Sequence, residues 1–503
     1  MPAGMKVLVA NRGEIAVRIM RACREMDYPT VAVYSEPDRT ALHVLHADQA
    51  VPIGPAPSRE SYLRIDRILE AAKKTGAEAI HPGYGFLAEN ANFARACRDA
   101  GLLFIGPSPE SIDAMGSKTE SRQRMKAAGV PVVPGLTEAV KSFDEIADFA
   151  RESGFPIMIK ASAGGGGKGL RLVEREADLK QAYERVTSEA ESFFGDGAVY
   201  AEKFVPSPRH IEVQIVGDQH GNIVHVGERE CTLQRRHQKV VEECPSPVVD
   251  AVLRERLGAM AVKAAAAVNY YSTGTIECLM SPDREFYFLE MNTRLQVEHP
   301  VTEMVWGVDL VKEQLRVARG EKLSFRQEDL RPLGAAIECR IYAEDPAHRF
   351  APSPGLIRHI ALPEGPGVRN DQGVYAGYTV PVFYDPMLSK LIVHAPGRDE
   401  AISRMRRALS EYRVEGIMTT IPFFTFIMNH PDFAAARFDT GFIDRILPEI
   451  DFTGGALDEK HLDAAVAAAA IVAFEESQSA KLPDDGPSRW RDVGLQEAVR
   501  GRL

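Results

Sequence analysis

Five side chains that can bind a metal, an anion or a proton occupy every second position of one short segment, FLEMNTRLQVEHPVTE, at 288–303. They are Glu290, Asn292, Arg294, Gln296 and Glu298. Side chains alternate between the two faces of an extended chain, so an extended conformation would point all five the same way. The apolar run EFYFLE just upstream indicates that the segment leaves a protein core directly. We therefore predict one polar binding surface; a solvated strand face is the alternative.

A further carboxylate, Glu277, lies within the apolar run GTIECLM. An acid inside an apolar strand is rare unless it is paired or bound to a cation. Together with Glu290 and Asn292, it supplies the hard oxygen ligands that Mg²⁺ prefers, completed by waters and substrate phosphates. The three residues predict a magnesium site that holds a nucleotide. A buried acid paired with an arginine is the alternative.

Two more polar segments lie between residues 209 and 243. In RHIEVQIV, the side chains of His210, Glu212 and Gln214 fall on one face of a predicted strand. The run LQRRHQKVVEE places four basic residues within five positions: Arg235, Arg236, His237 and Lys239. Such a density of positive charge suits an anionic ligand, and a solvated loop is the alternative.

Four consecutive glycines, Gly164–Gly167, stand in the run ASAGGGGKG. The run is not a Walker A loop, because Gly169 follows Lys168 where Ser or Thr is required. It meets the dinucleotide pattern G-x-G-x-x-G literally, but that motif opens a helix, and the LRLVE that follows is typical of a strand. We predict instead a hairpin whose backbone N–H groups cover a triphosphate, with Lys160 facing an anionic group. A flexible turn and an exposed lysine are the alternatives.

The chain has 503 residues, which predicts two to four domains. Strand-like and helical runs alternate through the first 115 residues, which is typical of a parallel, doubly wound sheet. Beyond residue 116, β-like runs dominate, with predicted helices at 251–268 and 399–412. The alanine-rich run at 464–474 predicts a packed helix that is too short to span a membrane. We therefore predict an α/β unit followed by an α+β unit.

Composition argues against several classes of protein. A net charge of −11 disfavours a broad nucleic-acid surface. The six cysteines include no C-x-x-C pair, so we predict neither a zinc site nor a disulfide framework. The start of the sequence does not resemble a signal peptide, and the cytoplasm is the predicted location.

Several long motifs, in order over about 1–446, identify a family. They include VLVANRGEIAVRIMRACRE, HPGYGFLAEN, KASAGGGGKG, ERECTLQRRHQKVVEE, EMNTRLQVEHPVTE and ECRIYAEDP. Together they resemble the biotin carboxylases of the ATP-grasp group. The resemblance implies an ATP-grasp fold with a Rossmann-like N-terminal domain at 1–115. It further implies an ATP-grasp domain at 116–330 with a mobile lid at about 132–205, a C-terminal biotin carboxylase domain at 331–446, and a tail at 447–503 that could dock partners.

The resemblance also implies roles for individual residues. The ATP-binding residues would be Lys118, Lys160, Gly164, Gly165, Gly166, Gly167, Glu202, Lys203, His210, Gln234 and His237. Bicarbonate would be bound by Lys239, Arg294, Gln296 and the backbone of Val297, and Mg²⁺ or Mn²⁺ by Glu277, Glu290 and Asn292. Glu298 would be the general base and Arg340 would bind biotin and stabilise its enolate, with Arg294 and Lys239 also catalytic.

The implied reaction uses MgATP to activate bicarbonate as carboxyphosphate and then carboxylates N1′ of a protein-linked biotin. The sequence has no Ala-Met-Lys-Met biotinylation motif, so the carrier protein and the carboxyltransferase are expected on separate chains, and a homodimer is expected from the family. The first hypothesis is a subunit of an acetyl- or propionyl-CoA carboxylase. The alternatives are a pyruvate or other 2-oxo acid carboxylase, another ATP-grasp ligase, and a non-catalytic relative.

Overall fold

The computed structural model describes residues 4–136, 140, 142–162, 169–195, 197–452, 466–471 and 474, without the side chains of 118, 119, 193 and 194. The chain divides into two compact units, Met1–Ile450 and Asp451–Leu503. All six cysteines are buried and form no disulfide. None of the helices in the described ranges is long and apolar enough to cross a membrane.

The first unit begins with a parallel sheet in the order β3-β2-β1-β4-β5. Its strands are β1 Val7–Val9, β2 Thr30–Ser35, β3 Gln49–Gly54, β4 Ala79–His81 and β5 Leu103–Phe104. The helices of this region are α1 Gly13–Glu25, α2 Leu42–His46, α3 Ile65–Thr75, α4 Ala91–Asp99 and α5 Pro109–Gly116. Val7 packs into one core and Leu8 into another, so both faces of the sheet are covered. This confirms the predicted doubly wound sheet and explains why its strands are apolar throughout.

A small antiparallel sheet in the order β7-β6-β8 follows, with its own apolar core. The strands are β6 Ile157–Ala161, β7 Leu170–Val173 and β8 Val199–Lys203, and the helices are α6 Lys118–Ala127, α7 Phe143–Ser153 and α8 Leu179–Phe194. Lys160 lies opposite Leu170, so β6 and β7 form the predicted hairpin. A strand and not a helix follows the glycines, as predicted, while Gly164–Gly167 themselves lie outside the described residues.

The largest sheet has eight antiparallel strands in the order β13-β12-β9-β10-β11-β14-β21-β19. They are β9 Arg209–Gly217, β10 Ile223–Arg235, β11 Gln238–Cys244, β12 Ser272–Met280, β13 Phe286–Asn292, β14 Ala335–Tyr342, β19 Val368–Gln372 and β21 Met387–Ala395. On one face of this sheet, Ile211, Val213 and Ile276 pack in an apolar core with residues of α9 (Ala251–Ala266). The boundary expected at residue 330 lies in a connection between two strands of this one sheet.

Shorter elements complete the first unit. The remaining strands are β15 Glu344–Asp345, β16 Ala351–Pro352, β17 Gly355–Leu356, β18 His359–Ala361, β20 Thr379–Val380 and β22 Arg413–Glu415. The remaining helices are α10 His299–Trp306, α11 Leu310–Ala318, α12 Arg398–Glu411, α13 Ile421–Asn429, α14 Pro431–Ala434 and α15 Phe442–Ile446.

In the second unit, residues 466–471 and 474 are helical. The side chains of Val466, Ile471 and Phe474 are 62%, 58% and 64% exposed. The described residues of the alanine-rich run are therefore helical, as predicted, but the prediction that this helix is packed is wrong for their side chains. The stretch SRWRDVGLQEA of the tail lies outside the described residues.

Candidate active site

Polar side chains line up across three neighbouring strands of the eight-stranded sheet. Glu212 on β9 lies opposite Glu277 on β12, and Glu277 lies opposite Glu290 on β13. Asn292 lies two residues beyond Glu290, so it shares the same face. We call these four residues the polar face. The strands fold this way because the alternate residues between them are apolar and fill the core on the other side.

The five-residue alternation from 290 to 298 does not continue as a strand. β13 ends at Asn292, and α10 begins at His299. The strand ends because the N–H group of Thr293 donates to the side chain of Glu89 at 3.2 Å rather than to a neighbouring strand. The prediction of one extended segment is therefore wrong beyond Asn292.

The side chains nevertheless converge. Arg294 donates to the amide oxygen of Asn292 at 2.8 Å, and the amide of Gln296 donates to Glu277 at 2.7 Å. Glu298 accepts a hydrogen bond from Lys239 at 2.7 Å, and Lys239 also donates to Glu277. The turn after Asn292 therefore brings the same groups together that an extended strand would have aligned.

Lys239 is the centre of a buried group of charges. Its ammonium contacts Glu212, and it lies 2.7 Å from both Glu277 and Glu298. Burial alone would lower the pKa of this lysine, but the three carboxylates raise its pKa well above the ordinary value. Lys239 is therefore a permanent cation that can bind an anionic substrate. We call Lys239, Glu212, Glu277, Glu298 and Arg340 the charge cluster.

Glu298 is a carboxylate held in its ionised form. Burial would raise its pKa, but Lys239 and Arg340 lower the pKa of this carboxyl below its ordinary value. A guanidinium nitrogen of Arg340 lies 3.0 Å from Glu298, and another contact of 2.7 Å joins Arg340 to Glu242. Glu298 can therefore accept a proton, and Arg340 keeps a fixed position beside it.

The polar face has the oxygen donors that a divalent cation requires. Glu277 and Glu290 lie directly opposite each other, and Asn292 adds an amide oxygen on the same face. Burial opposes ionisation of Glu277, but Lys239 and His210 hold its pKa well below the ordinary value, so it is a carboxylate. A set of hard oxygen donors fits Mg²⁺ or Mn²⁺ better than a softer metal.

A first cavity, of about 410 Å³, lies between the small sheet and the eight-stranded sheet. It is lined by residues that include Met158, Lys160, Glu202, Lys203, His237 and Leu279. The ammonium of Lys160 contacts the buried Glu202, so the predicted anionic neighbour is present and the alternative of an exposed lysine is wrong. The ammonium of Lys203 instead donates to the carbonyl of Ser153 at 2.8 Å, which fixes the end of α7.

Three further predicted residues lie either beside the charge cluster or in the wall of this cavity. His210 shares a hydrogen bond of 2.8 Å with the amide of Gln234, and its other ring nitrogen lies 3.0 Å from Glu277. His237 lines the cavity from the turn between β10 and β11. The side chain of Lys118 lies outside what the structure describes.

A second cavity, of about 510 Å³, lies beside Arg340 of the charge cluster. Arg294, Val297 and Arg340 form part of its wall. Its wall also includes the aromatic residues Tyr84, Phe86, Phe383 and Tyr384. A small anion and an apolar ring could therefore be held side by side in this cavity.

Sequence reasoning missed Arg229, whose side chain is completely buried. Its guanidinium contacts five side chains of the site region: Glu212, Gln214, Thr275, Gln296 and Thr302. Arg229 stands between Glu228 and Glu230, and this local run of charges is typical of a solvated strand. Arg229 lies opposite Glu212 on β9. Only the alternation of polar and apolar residues in RHIEVQIV, which contains Glu212, could have indicated that the partner of Glu212 is buried.

Lys390 was also missed. It is completely buried in β21, and it donates to the carbonyl of Val297 at 2.7 Å and lies 3.2 Å from Glu14. The signal was available, since Lys390 begins the apolar run KLIVHA just as Lys160 ends the run PIMIK. Lys390 fixes the backbone between Gln296 and Glu298.

Comparisons with known proteins agree with this geometry. Three family models match: "Biotin carboxylase, N-terminal domain" at 4–112, "Carbamoyl-phosphate synthase L chain, ATP binding domain" at 117–326, and "Biotin carboxylase C-terminal domain" at 338–445. A biotin carboxylase of Halalkalibacterium halodurans is 56% identical over 438 residues, which cover 87% of this chain and 97% of that one. A pyruvate carboxylase subunit of Methanothermobacter thermautotrophicus is 56% identical over 447 residues, 89% of this chain and 91% of that one.

Solved structures are similar over the same range. A biotin carboxylase from Campylobacter jejuni, described as a complex with ATP, has a TM-score of 0.84 and 48% identity, covering 88% of this chain and 98% of that one. The biotin carboxylase domain dimer of a Hydrogenobacter thermophilus 2-oxoglutarate carboxylase, with MgADP, ADP and bicarbonate, has a TM-score of 0.84 and 47% identity, covering 90% and 100%. The chain described here therefore belongs to the biotin carboxylase family, whose members are ATP-dependent ligases with the ATP-grasp fold.

Proposed function

We propose that this chain is the biotin carboxylase subunit of an acyl-CoA carboxylase that acts on acetyl-CoA or propionyl-CoA. It carboxylates the biotin of a separate carrier protein with ATP and bicarbonate. The observation that carries the proposal is the charge cluster, where Lys239 and Arg340 both contact the carboxylate of Glu298 beside the second cavity.

Bicarbonate is bound by Lys239, Arg294, Gln296 and the backbone of Val297 in this proposal. Glu298 removes the proton of bicarbonate, and the resulting oxyanion attacks the γ-phosphorus of ATP, with ADP as the leaving group. Carboxyphosphate forms in this step. The ionised state of Glu298 supports this role, because only the carboxylate can accept the proton.

The carboxyl group then passes from carboxyphosphate to N1′ of biotin. The bond between the carboxyl carbon and the phosphate oxygen breaks, the C–N1′ bond forms, and the released phosphate takes the proton from N1′. Arg340 stabilises the enolate oxygen of the biotin ring, since a guanidinium keeps its charge at every physiological pH. Two features support this role: Arg340 lines the second cavity, and Glu242 and Glu298 fix its position.

ATP occupies the first cavity in this proposal. The residues that hold it are Lys118, Lys160, Gly164, Gly165, Gly166, Gly167, Glu202, Lys203, His210, Gln234 and His237.

Glu277, Glu290 and Asn292 would hold Mg²⁺ or Mn²⁺, which neutralises phosphate charge when it is bound. The glycines belong to a lid at about 132–205 that excludes water from carboxyphosphate. The domains are proposed at 1–115, 116–330 and 331–446, with a partner-docking tail at 447–503.

The proposed assembly is a homodimer that works with a carrier protein and a carboxyltransferase on separate chains. A dimer is described for the Hydrogenobacter thermophilus neighbour. The six cysteines are buried and unpaired, which suits the reducing cytoplasm, where we propose that the enzyme works.

A pyruvate or other 2-oxo acid carboxylase is the second candidate. It performs the same half-reaction, and it is favoured by the similarity to the pyruvate carboxylase subunit of Methanothermobacter thermautotrophicus and to a 2-oxoglutarate carboxylase. Isolation of the native complex with its carboxyltransferase, followed by carboxylation assays with acetyl-CoA, propionyl-CoA, pyruvate and 2-oxoglutarate, separates the two candidates.

The half-reaction itself is tested by ATP cleavage in the purified chain. We expect cleavage that requires bicarbonate and that free biotin accelerates. Other ATP-grasp ligases predict no effect of biotin, and a non-catalytic relative predicts no cleavage. Either of those two results would overturn the proposal.

A further inference from the structure

Two adjacent apolar side chains stand exposed at the mouth of the second cavity. Val382 is 70% exposed and Phe383 is 55% exposed, and Phe383 also lines the cavity. We call these two residues the lip. Single exposed apolar residues are normal on a protein surface, but two neighbours at the opening of a binding cavity form a contact surface.

Contacts of the residue that follows the lip hold it in place. The hydroxyl of the next residue, Tyr384, contacts the side chain of Ser35 at 2.5 Å and donates to the carbonyl of Ala56 at 2.6 Å. The guanidinium of Arg12 lies 4.2 Å from the centre of the Tyr384 ring. These contacts attach the segment to the N-terminal sheet region, so the lip is presented in one position beside the cavity.

Aromatic rings continue from the lip into the cavity wall. The rings of Phe383 and Tyr384 are 6.4 Å apart, and Tyr384 meets Tyr62 edge to face at 5.6 Å. Tyr62 stacks on Phe86 at 4.9 Å, and Phe86 lines the cavity. Phe383, Tyr384 and Phe86 therefore give the cavity an aromatic lining beside the lip, with the buried Tyr62 packed behind it.

The chemistry of the proposed substrate matches this surface. The ureido ring of biotin must reach the charged end of the cavity, near Arg294 and Arg340. The lysine that carries biotin then extends out through the mouth, and its side chain is a hydrocarbon. An apolar lip removes that hydrocarbon, and the carrier surface around it, from water.

We propose that Val382 and Phe383 form a docking lip for the biotin carrier protein. The lip packs against the hydrocarbon arm of the biotinylated lysine and against the surface of the carrier around that lysine. This inference rests on the proposed function, because it requires a protein-linked biotin as the substrate. Free biotin lacks both the lysine and the carrier, so it reacts without using the lip.

The test compares two substrates in the variant Val382→Ser, because Val382 belongs to the lip but is not among the residues that line the second cavity. We expect the KM for biotinylated carrier protein to rise about fivefold, because one apolar contact is lost at an interface. The KM for free biotin and the bicarbonate-dependent cleavage of ATP should change less than about twofold. The matched control is Val252→Ser, which alters a side chain that is 74% exposed elsewhere. That control should leave both KM values unchanged.

A second variant protects the test against a folding defect. Val382→Ile keeps an apolar lip and should leave the affinity for the carrier close to that of the wild type. Equal KM values for the carrier in the wild type and in the serine variant would overturn the inference alone. A loss that is the same for carrier and free biotin, or a changed oligomeric state in sedimentation, would also overturn it. Failure of free biotin to stimulate the wild type would instead overturn the proposed function.

Discussion

The two main sheets of the first unit bury their strands equally well but with different side chains. In the five-stranded parallel sheet, Val7, Leu8 and Ile80 are completely buried between layers of helices. In the eight-stranded antiparallel sheet, one face is just as apolar, whereas the other face buries carboxylates such as Glu212 and Glu277. The first sheet is stabilised by removing apolar surface from water, and the polar face of the second requires a partner for every charge.

The difference shows how the buried charged groups are held in position. A buried charge is costly unless an opposite charge and hydrogen bonds compensate it. Arg229 compensates Glu212, and Lys239 compensates three carboxylates at once. These groups are therefore oriented before any substrate binds, which is the condition under which electrostatic stabilisation of a transition state is most effective. The apolar sheet, by contrast, supplies a rigid support and no chemistry.

Reversing one charge on the polar face should have the largest effect. Glu290→Lys places a cation opposite Glu277, where the proposed metal would bind, and we expect the cleavage of MgATP to be abolished. The ATPase assay measures this loss, and Glu285→Lys, at an exposed position of the same hairpin, is the control. Full activity of the Glu290→Lys enzyme would show that the metal ligands are wrongly assigned.

Removing one charge from a buried ion pair of the eight-stranded sheet should destabilise the protein more than removing one methylene group from the core of the parallel sheet. Arg229→Met leaves Glu212 with less compensation, and we expect a loss of about 3 kcal/mol in the free energy of unfolding. Ile80→Val removes a single methylene from the parallel sheet and should cost about 1 kcal/mol. Denaturant unfolding measures both, with the exposed Arg407→Met as a control that should cost less than about 0.5 kcal/mol. Equal losses for Arg229→Met and Ile80→Val would remove the distinction between the two sheets.

Neutralising the proposed base tests what the charge cluster contributes to catalysis. Glu298→Gln keeps the shape of the side chain but can no longer accept a proton, so bicarbonate-dependent turnover should fall by about 10²-fold or more. Nucleotide binding, measured by calorimetry, should remain near normal because Glu298 contacts Lys239 and Arg340 rather than the first cavity.

A matched control makes the same change away from the site. Glu228 is buried and pairs with Arg254 at 2.7 Å, so Glu228→Gln also neutralises a buried carboxylate. Its turnover per folded molecule should stay within about twofold of the wild type. Unchanged turnover in the Glu298→Gln enzyme would exclude Glu298 as the base.

The sequence predicts those features that depend on neighbouring residues. The parallel sheet was predictable because runs such as KVLVA are apolar on both faces, as buried parallel strands require. The hairpin around the glycines was predictable because strand-like runs flank it on both sides. A cationic partner for Glu277 was predictable, because an acid that interrupts an apolar strand is rare unless it is paired or bound to a cation.

Features that depend on distant residues were not predictable in this way. The strand ends at Asn292 because Glu89, about two hundred residues earlier, accepts a hydrogen bond from the next N–H group. Arg229 is buried because its partners come from several separate segments of the chain. The large sheet also depends on distant residues, because β14 pairs with β11 from the preceding region of the chain. Local spacing indicates which side chains share a face, but the turns and the ion pairs are set by the tertiary fold.

Acidification should show how much a buried neutral histidine stabilises the parallel sheet. His43 is completely buried beside the parallel sheet, and burial lowers its pKa to about 4 although Asp38 opposes this. An unfolded histidine titrates near 6.5, so the unfolded state takes up a proton below about pH 6.5 and the folded state does not. Stability is therefore present above that pH and falls as the pH decreases towards 4. The lowered pKa of Glu298 has its effect only below about pH 4.3, the ordinary value of a glutamate.

The measurement is denaturant unfolding of His43→Gln and of the wild type at pH 7 and pH 5. At pH 5, about 1.5 pH units below the pKa of an unfolded histidine, protonation of the unfolded state lowers the free energy of unfolding by about 2 kcal/mol. Between pH 7 and pH 5 the wild type should therefore lose about 2 kcal/mol more stability than the variant. His359→Gln, at an exposed position, should behave as the wild type does. If His43→Gln loses as much stability as the wild type between the two pH values, the neutral histidine does not stabilise the parallel sheet. The acid sensitivity between pH 7 and pH 5 would then arise from other buried histidines such as His81, whose pKa burial also lowers.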